Sequence, residues 1–274
     1  MLFLFLIEFS DRIKIMNEKL LKQAFAQLPI PSFRFLKETD STNTQALNWL
    51  SEGADEYSVV LAENQTAGRG RNGRSWVTTP GSSLAFSIIL HPTKLETKKL
   101  GLFSLLGGLS IRKSLKDSFD IDAQVKWPND VLIDNKKTAG ILSESFWLGE
   151  SLQGIVLGIG VNLLHSSVPQ SDRLLFPATC IQAQSNYEID PISTLKHILE
   201  AFFELRTSML LPTFIQQYEK KLAYRNQLIS LDTGKGIIIS GQLKGVDKFG
   251  NIRIQVTGRK EQTFPIGDIK LRPQ

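Results

Sequence analysis

Hydrophobic positions recur along this chain with two periods, one near 3.6 residues and one near 2, and their succession sketches the fold. A helix is expected over Asn17–Leu28, stopping at Pro29 and Pro31 because proline disfavours helix at the residue before it. Phe33–Lys37 alternates as a strand, and Asn43–Ser51 places Ala46, Trp49 and Leu50 on one helical face. Strands follow at Tyr57–Glu63 and Ser83–Leu90. Leu102, Leu105, Leu106 and Leu109 form a helical stripe that contains Gly107 and Gly108. Each glycine costs a helix about 1 kcal/mol against alanine, so close packing or a break is expected there. Ala123–Trp127, Val131–Ile133, Thr138–Phe146 and Gln153–Val161 read as strands, with Asp134-Asn135 at a hairpin turn. Leu195, Ile198, Leu199 and Phe202 mark a helix, and a second runs from about Thr213 to Leu222.

Beyond Arg225 the texture changes. Short β-like runs, Gly236–Ser240, Gln242–Val246, Ile252–Val256 and Gln262–Ile266, are separated by glycine-bearing turns, which predicts a small β-barrel or sheet. The chain thus divides into an N-terminal extension and helix (1–29), a main domain (30–225) and a small β-domain (226–274).

Composition adds limits. With 274 residues, 42% hydrophobic and 22% charged, the chain can bury a real core. Its single cysteine, Cys180, excludes an intrachain disulfide framework and a multi-cysteine metal site, and a reducing cytoplasm is the expected compartment. The net charge of +5 suits an anionic small molecule, and no basic run interleaved with aromatics reads as a nucleic-acid module, so no DNA partner is expected. Met1–Ile7 is apolar but too short to cross a bilayer, and it has neither a positive region before it nor a small-residue cleavage site. No membrane partner is expected, and Met16 is read as the natural start.

Gly68-Arg69-Gly70-Arg71-Asn72-Gly73 matches the dinucleotide pattern G-x-G-x-x-G literally. That reading needs a strand before the glycines and a helix opening on them. The strand is there; the helix is not, since Pro80, Gly81 and the β-rich Ala85–Leu90 follow. What remains is a loop whose glycines allow close approach and whose arginines, Arg69, Arg71 and Arg74, suit phosphate or carboxylate. Such a loop is expected to be mobile until an anion orders it; the plainer reading is a solvated basic surface loop.

Three further clusters carry chemistry. In Lys126-Trp127-Pro128-Asn129-Asp130 the rigid neighbours aim a lysine, while Asn129 and Asp130 either cap a turn or orient a nucleotide and its Mg²⁺. Thr39-Asp40-Ser41-Thr42-Asn43 is an N-cap cluster whose polar groups could also meet a ligand. Gly158-Ile159-Gly160-Val161-Asn162 ends an apolar strand on small residues and an amide, either a strand end with a bulge or a place where a nucleotide base meets backbone.

Taken in order, Glu63-x-Gln65-x-x-Gly68-Arg69-Gly70-Arg71-x-Gly73-Arg74-x-Trp76, Lys126–Asp130, Lys137-x-Ala139-Gly140-Ile141-Leu142 and Gly158–Asn162 resemble the biotin–protein ligase family. The resemblance runs from about Thr39 to Asn162. It implies an α/β (α+β) catalytic domain on a mixed sheet with a small C-terminal β-barrel. It also implies that biotin and MgATP form biotinyl-5'-AMP, from which biotin passes to a lysine of a biotin carboxyl carrier domain. Carried over by position, Ser41, Thr42, Asn43, Gln65, Arg69, Gly70, Arg71, Lys126 and Gly140 would contact biotin. Arg69, Arg71, Arg74, Trp76, Asn129 and Asn162 would contact ATP, with Lys126 and Arg71 catalytic and no protein metal ligand assigned. Surrounded by anions, Lys126 is expected to act protonated, as a clamp. About forty residues precede Thr39, too few for the winged helix-turn-helix of some relatives, so a monofunctional enzyme is expected. An exposed sheet edge could pair with a second copy or dock the carrier. The C-terminal barrel would cover ATP or contact the carrier, with Arg253 and Lys248 as the candidates. The rivals are a lipoate or octanoate ligase/transferase, which shares the fold but lacks the arginine loop, and a non-catalytic sensor.

Overall fold

Asn17 caps the first helix, α1 (Glu18–Phe25), by accepting a 3.0 Å hydrogen bond from the Leu20 backbone N–H, and Leu21 and Phe25 are its buried side. The computed structural model describes residues 16–169, 176–234, 236–256, 258–265 and 267–270. The apolar run Met1–Ile7 and the upstream extension expected over residues 1–15 lie outside these.

The chain then runs through β1 (Phe33–Thr39), α2 (Thr42–Ser51), β2 (Val59–Gln65), β3 (Ser83–Leu90), a short α3 (Lys94–Thr97) and α4 (Gly101–Phe119). After these come β4 (Gln124–Lys126), β5 (Asp130–Ile133), β6 (Lys136–Leu148), β7 (Ser151–Asn162), α5 (Pro191–Arg206) and α6 (Pro212–Lys220). The seven strands form one sheet in the order β1-β2-β3-β7-β6-β5-β4, with β1 and β2 parallel and the other neighbours antiparallel. This is the mixed α/β sheet that the resemblance implies. Asp134 and Asn135 both have positive φ (48° and 59°), which lets a two-residue turn follow the strand twist between β5 and β6. The helix α3 was not foreseen; its four residues are too few to show a period, although Thr93 and Glu96 form a capping box around it.

Alternation along β7 divides the molecule. Ile155, Leu157, Ile159 and Val161 join the main core beneath the helices, whose members include Leu102, Leu105, Leu106 and Leu109 of α4 and Leu195, Ile198, Leu199 and Phe202 of α5. Val156 joins a second, smaller cluster with Ala46 and Leu50 of α2, Val60 and Ile89. Because successive strand residues point to opposite faces, α2 lies across the sheet from α4 and α5. The two glycines of α4 continue the helix without a break. A Cβ on Gly107 would stand 3.2 Å from both γ carbons of Ile141, and one on Gly108 3.5 Å from Val125. Close packing on the sheet is their reason.

A second, antiparallel sheet follows, built from β8 (Leu228–Asp232), β9 (Ile238–Val246), β10 (Ile252–Val256), β11 (Glu261–Phe264) and β12 (Asp268–Lys270) in the order β11-β10-β9-β8-β12. The runs Gly236–Ser240 and Gln242–Val246 turn out to be one strand, because Gly241 stays in register between Ile229 of β8 and Val256 of β10 instead of turning the chain. The strands β8 and β12 escaped the reading. β12 is short, and β8 ends in Asp232 beside a glycine turn. Among the contacts that hold the second sheet to the rest, the Trp127 indole N–H donates to the Gly250 carbonyl at 2.9 Å, and Glu219 of α6 accepts from the Val246 N–H and Arg253.

Gly107→Val should therefore push α4 off β6 and lower stability by about 1–3 kcal/mol, read from the urea midpoint at unchanged slope. An unchanged midpoint would show that Ile141 yields without cost.

Candidate active site

The face of the sheet that α2 covers only in part carries unusually small residues. On β7 it presents Val156, Gly158, Gly160 and Asn162; opposite them lie Glu144, Leu142 and Gly140 of β6 and Ser87, Ala85 and Ser83 of β3. α2 packs where the valine stands and stops where the glycines begin. There a cavity of about 780 Å³ opens. The positions that the resemblance assigns to biotin or ATP line it: Ser41, Thr42, Asn43, Gln65, Arg69, Gly70, Arg71, Arg74, Trp76, Lys126, Asn129, Gly140 and Asn162.

One wall is the N-terminus of α2. Ser41, Thr42 and Asn43 are buried there; Ser41 is the N-cap but its side chain makes no capping bond, and Asp40 accepts from the Ser41 N–H at 2.6 Å. Gln65 Oε1 accepts from the Thr42 N–H at 2.8 Å, one of the helix's otherwise unpaired donors. The Ser87 hydroxyl makes 2.8 Å and 2.7 Å bonds to Thr42 Oγ1 and Asn43 Oδ1, and Asn43 Nδ2 donates to Glu144 at 2.7 Å. A Cβ on Gly158 would collide with the Asn43 amide, so this polar cluster exists only over a glycine.

The arginine loop forms the roof. Its stem is a narrow hairpin: the Trp76 N–H donates to the Gly68 carbonyl at 2.8 Å and the Gly70 N–H to the Arg74 carbonyl at 2.7 Å. The tip is a single 3₁₀ turn, Arg71–Gly73, with Asn72 and Gly73 at positive φ. No helix opens on the glycines, so the dinucleotide reading falls. The expected self-repulsion of the arginines is offset by the protein's own carboxylates. Arg69 pairs with Glu144 at 2.8 Å; Arg71 pairs at 3.3 Å with Asp268 of β12, which also holds Arg74. Burial pulls Arg71 below its usual pKa range, opposed by Asp268 and then Asp130. Trp76 leaves the hairpin and lays its indole against Gly160 and Gly140, which face each other across β6 and β7; a side chain at Gly160 would occupy the same space.

The third wall is the β4–β5 turn. Lys126 is 7% exposed, with its Nζ 3.5 Å from the centre of the Phe176 ring. Burial pushes its pKa down to about 8, while Asp130, opposite it in the ladder, pulls the other way and Lys137 adds to the lowering. At pH 7 it remains mostly protonated. The expected rigid frame is present: Trp127 is 2% exposed and tied to Gly250. Asn129 is locked in two directions, donating to the Ile141 carbonyl at 2.9 Å and accepting from Arg71 at 3.4 Å. Asp130 pairs with Lys137 at 2.6 Å. Asn162, buried at the strand end, donates to the Thr179 carbonyl at 3.0 Å.

Sequence reasoning missed Ser87, Phe176 and Asp268. Ser87 could have been found, because it interrupts the apolar run of β3 on alternate spacing. Nothing local distinguishes Asp268 or Phe176. Arg253 and Lys248 are not among the cavity's lining; Arg253 pairs with Glu219 and Glu261, and Lys248 lies over Phe249.

A lysine with a folded pKa near 8 and an unfolded one near 10.5 leaves the unfolded chain the better proton binder between those values, so on this account stability rises as pH climbs from 8 to 10.5. Lys126→Met should then stabilise the protein at pH 7 by on the order of 2–3 kcal/mol, with the gain fading towards pH 10.5. Denaturant midpoints at both pH values check this; a gain that does not shrink would mean burial is not the cause.

The model of the biotin/lipoate A/B protein ligase family matches residues 35–162. The chain is similar to the bifunctional ligase/repressor of Bacillus spizizenii, 34% identical over 162 residues that make up 59% of this chain and 50% of that one. It is also similar to the biotin–[acetyl-CoA-carboxylase] ligase of Paracoccus denitrificans, 36% identical over 172 residues, 61% of this chain and 70% of that one. Its fold is similar to that of the biotin protein ligase from Aquifex aeolicus solved in complex with biotin and ATP: TM-score 0.75, 27% identity, 89% of this chain and 100% of that one. The chain spans about half the length of the Bacillus relatives it matches. Among the described residues no helix is long and apolar enough to cross a membrane.

Proposed function

The chain belongs to the biotin/lipoate A/B protein ligase family, and from that premise we propose that it is an ATP-dependent biotin–protein ligase working in the cytoplasm. The observation that carries this reading is the placement of one buried lysine, Lys126, between a glycine-cleared floor and a roof of three arginines.

The first step joins two anions. A biotin carboxylate oxygen attacks the α-phosphorus of ATP, the bond to the β-phosphate breaks, and pyrophosphate leaves with biotinyl-5'-AMP formed. The barrier is charge repulsion, and Lys126, Arg69, Arg71 and Arg74 answer it by meeting carboxylate and phosphate oxygens in a shielded space. Biotin lies towards the α2 wall, where Ser41, Thr42, Asn43, Gln65 and Gly140 offer short polar groups and room. The nucleotide lies towards Trp76, Asn129 and Asn162. Among the described residues no cluster of three His, Cys, Asp or Glu side chains could hold a metal, and Asp130 and Asp268 are committed to cations. Mg²⁺ bound with ATP would supply charge withdrawal from the leaving pyrophosphate.

In the second step the ε-amine of a lysine on a biotin carboxyl carrier domain attacks the acyl carbon, the anhydride bond to AMP breaks, and the amine loses a proton. Between the steps the roof excludes water from a reactive anhydride. Edge strand β1 is open to strand addition by the carrier or a second copy, whereas the outer edge of β4 is taken by the Lys221–Ala223 backbone, which exchanges two hydrogen bonds with Val125. A lipoate reading draws no support from a cavity roofed by arginines and floored by Trp76.

Biotin-dependent ATP–pyrophosphate exchange tests the proposal. The wild-type chain should exchange with biotin and not with lipoate, and Lys126→Ala should lose about 100-fold or more in rate. Exchange with lipoate alone, or full exchange in Lys126→Ala, would overturn it. Arg71→Gly should still form the adenylate but release it, raising the labelling of bystander proteins; background equal to wild type would remove Arg71 from the retaining role.

A further inference from the structure

Asp268 opens the last described strand, 197 positions after Arg71, and yet the whole tip of the arginine loop converges on it. Its Oδ1 accepts from Arg71 at 3.3 Å, and its Oδ2 accepts from Asn72 at 3.2 Å and from Arg74. The neighbouring Gly267 carbonyl accepts a further bond from Arg71 at 3.4 Å. Between Arg71 and Arg74 the one residue not bound there is Gly73, which has no side chain. The carboxylate is 18% exposed, and a charge-assisted pair so sheltered counts for more than one on the open surface. β12 is itself fixed by pairing with β8, Asp268 opposite Asp232 and Ile269 opposite Leu231. At Gly267 a Cβ would stand 2.6 Å from Leu231, so the strand can approach this closely only with glycine there. Asp268 also reaches Lys126 electrostatically, and so faces the cavity.

We propose that Asp268 is the positioning residue of the arginine loop: through it the second sheet sets where Arg71 and Arg74 stand over the cavity. A phosphate or acyl-phosphate group presents the same oxygens to the same guanidinium N–H groups, so Asp268 yields them when such a ligand arrives. This handover, unlike the positioning, rests on the adenylate-forming reading of the site.

Trypsin, which cleaves after arginine, reads the loop directly. The full chain, as wild type, Asp268→Asn and Asp268→Glu, is digested briefly with and without biotin plus MgATP, and the cuts are mapped by mass. Without ligand, Asp268→Asn should be cut after Arg71 and Arg74 about tenfold faster than wild type, with other sites unchanged. Asp268→Glu should recover most of the protection. Ligand should protect Asp268→Asn to the wild-type level, because the phosphates then hold the arginines. Arg74→Gln, which leaves the second sheet intact, should be cut faster after Arg71 and decides the matter if Asp268→Asn fails to fold. Wild-type cleavage rates in both variants without ligand would overturn the positioning. Faster cutting that ligand cannot reverse, in protein that still exchanges pyrophosphate, would overturn the handover. Wild-type protein that does not exchange with biotin would defeat the ligase reading and leave the ligand-free comparison standing.

Discussion

Five cationic side chains, Lys126, Lys137, Arg69, Arg71 and Arg74, line one cavity, and keeping them together without an excess of repulsion is the constraint on which the rest depends. Like charges brought together in shielded space repel more strongly than in water, and burial adds its own penalty to each. The protein meets this with carboxylates placed one by one: Asp130 against Lys137, Asp268 against Arg71 and Arg74, Glu144 against Arg69. Lys126 receives the least help, since its nearest face is the Phe176 ring, and burial therefore lowers its pKa to about 8. The charge that remains on the cavity wall is positive, which on the proposed reading is what two reacting anions need.

The architecture follows from that need. The floor has to be a sheet face stripped of side chains, and β7 supplies it by placing Gly158 and Gly160 on the face opposite its apolar residues. The same strand thus holds up the core and clears the site. α2 must end at the right place, and the collision that any side chain at Gly158 would make with Asn43 marks where it does. The second sheet then closes the arrangement from outside. It receives the Trp127 indole at Gly250, and through Asp268 it returns a carboxylate to the loop. The anchor behind Lys126 and the anchor of the roof therefore belong to the same small sheet.

Much of this was legible along the chain. The strands of the first sheet, the long helices and the hairpin at Asp134-Asn135 follow from hydrophobic period and turn chemistry, which are local properties. Local composition also separated the arginine loop from a dinucleotide fingerprint, because the residues after the glycines are built for a strand. The continuity of α4 through Gly107 and Gly108 was open from sequence. The answer depended on Ile141, a residue on another element. The merging of two expected strands into β9 has the same origin, since Gly241 is held straight by neighbours on both sides.

The sequence by itself determined the strands of the first sheet and the long helices, the set of groups able to handle phosphate and carboxylate, and the resemblance that orders them, because each of these is written in residue type and short-range spacing. Tertiary structure decided which charges cancel and which remain. Electrostatic interaction depends on distance and shielding in space, and 197 positions separate Arg71 from the carboxylate that holds it. The burial of Lys126 beneath Phe176, the indole resting on Gly160 and the tie between Asp268 and the loop arise from elements meeting, so no window of sequence contains them.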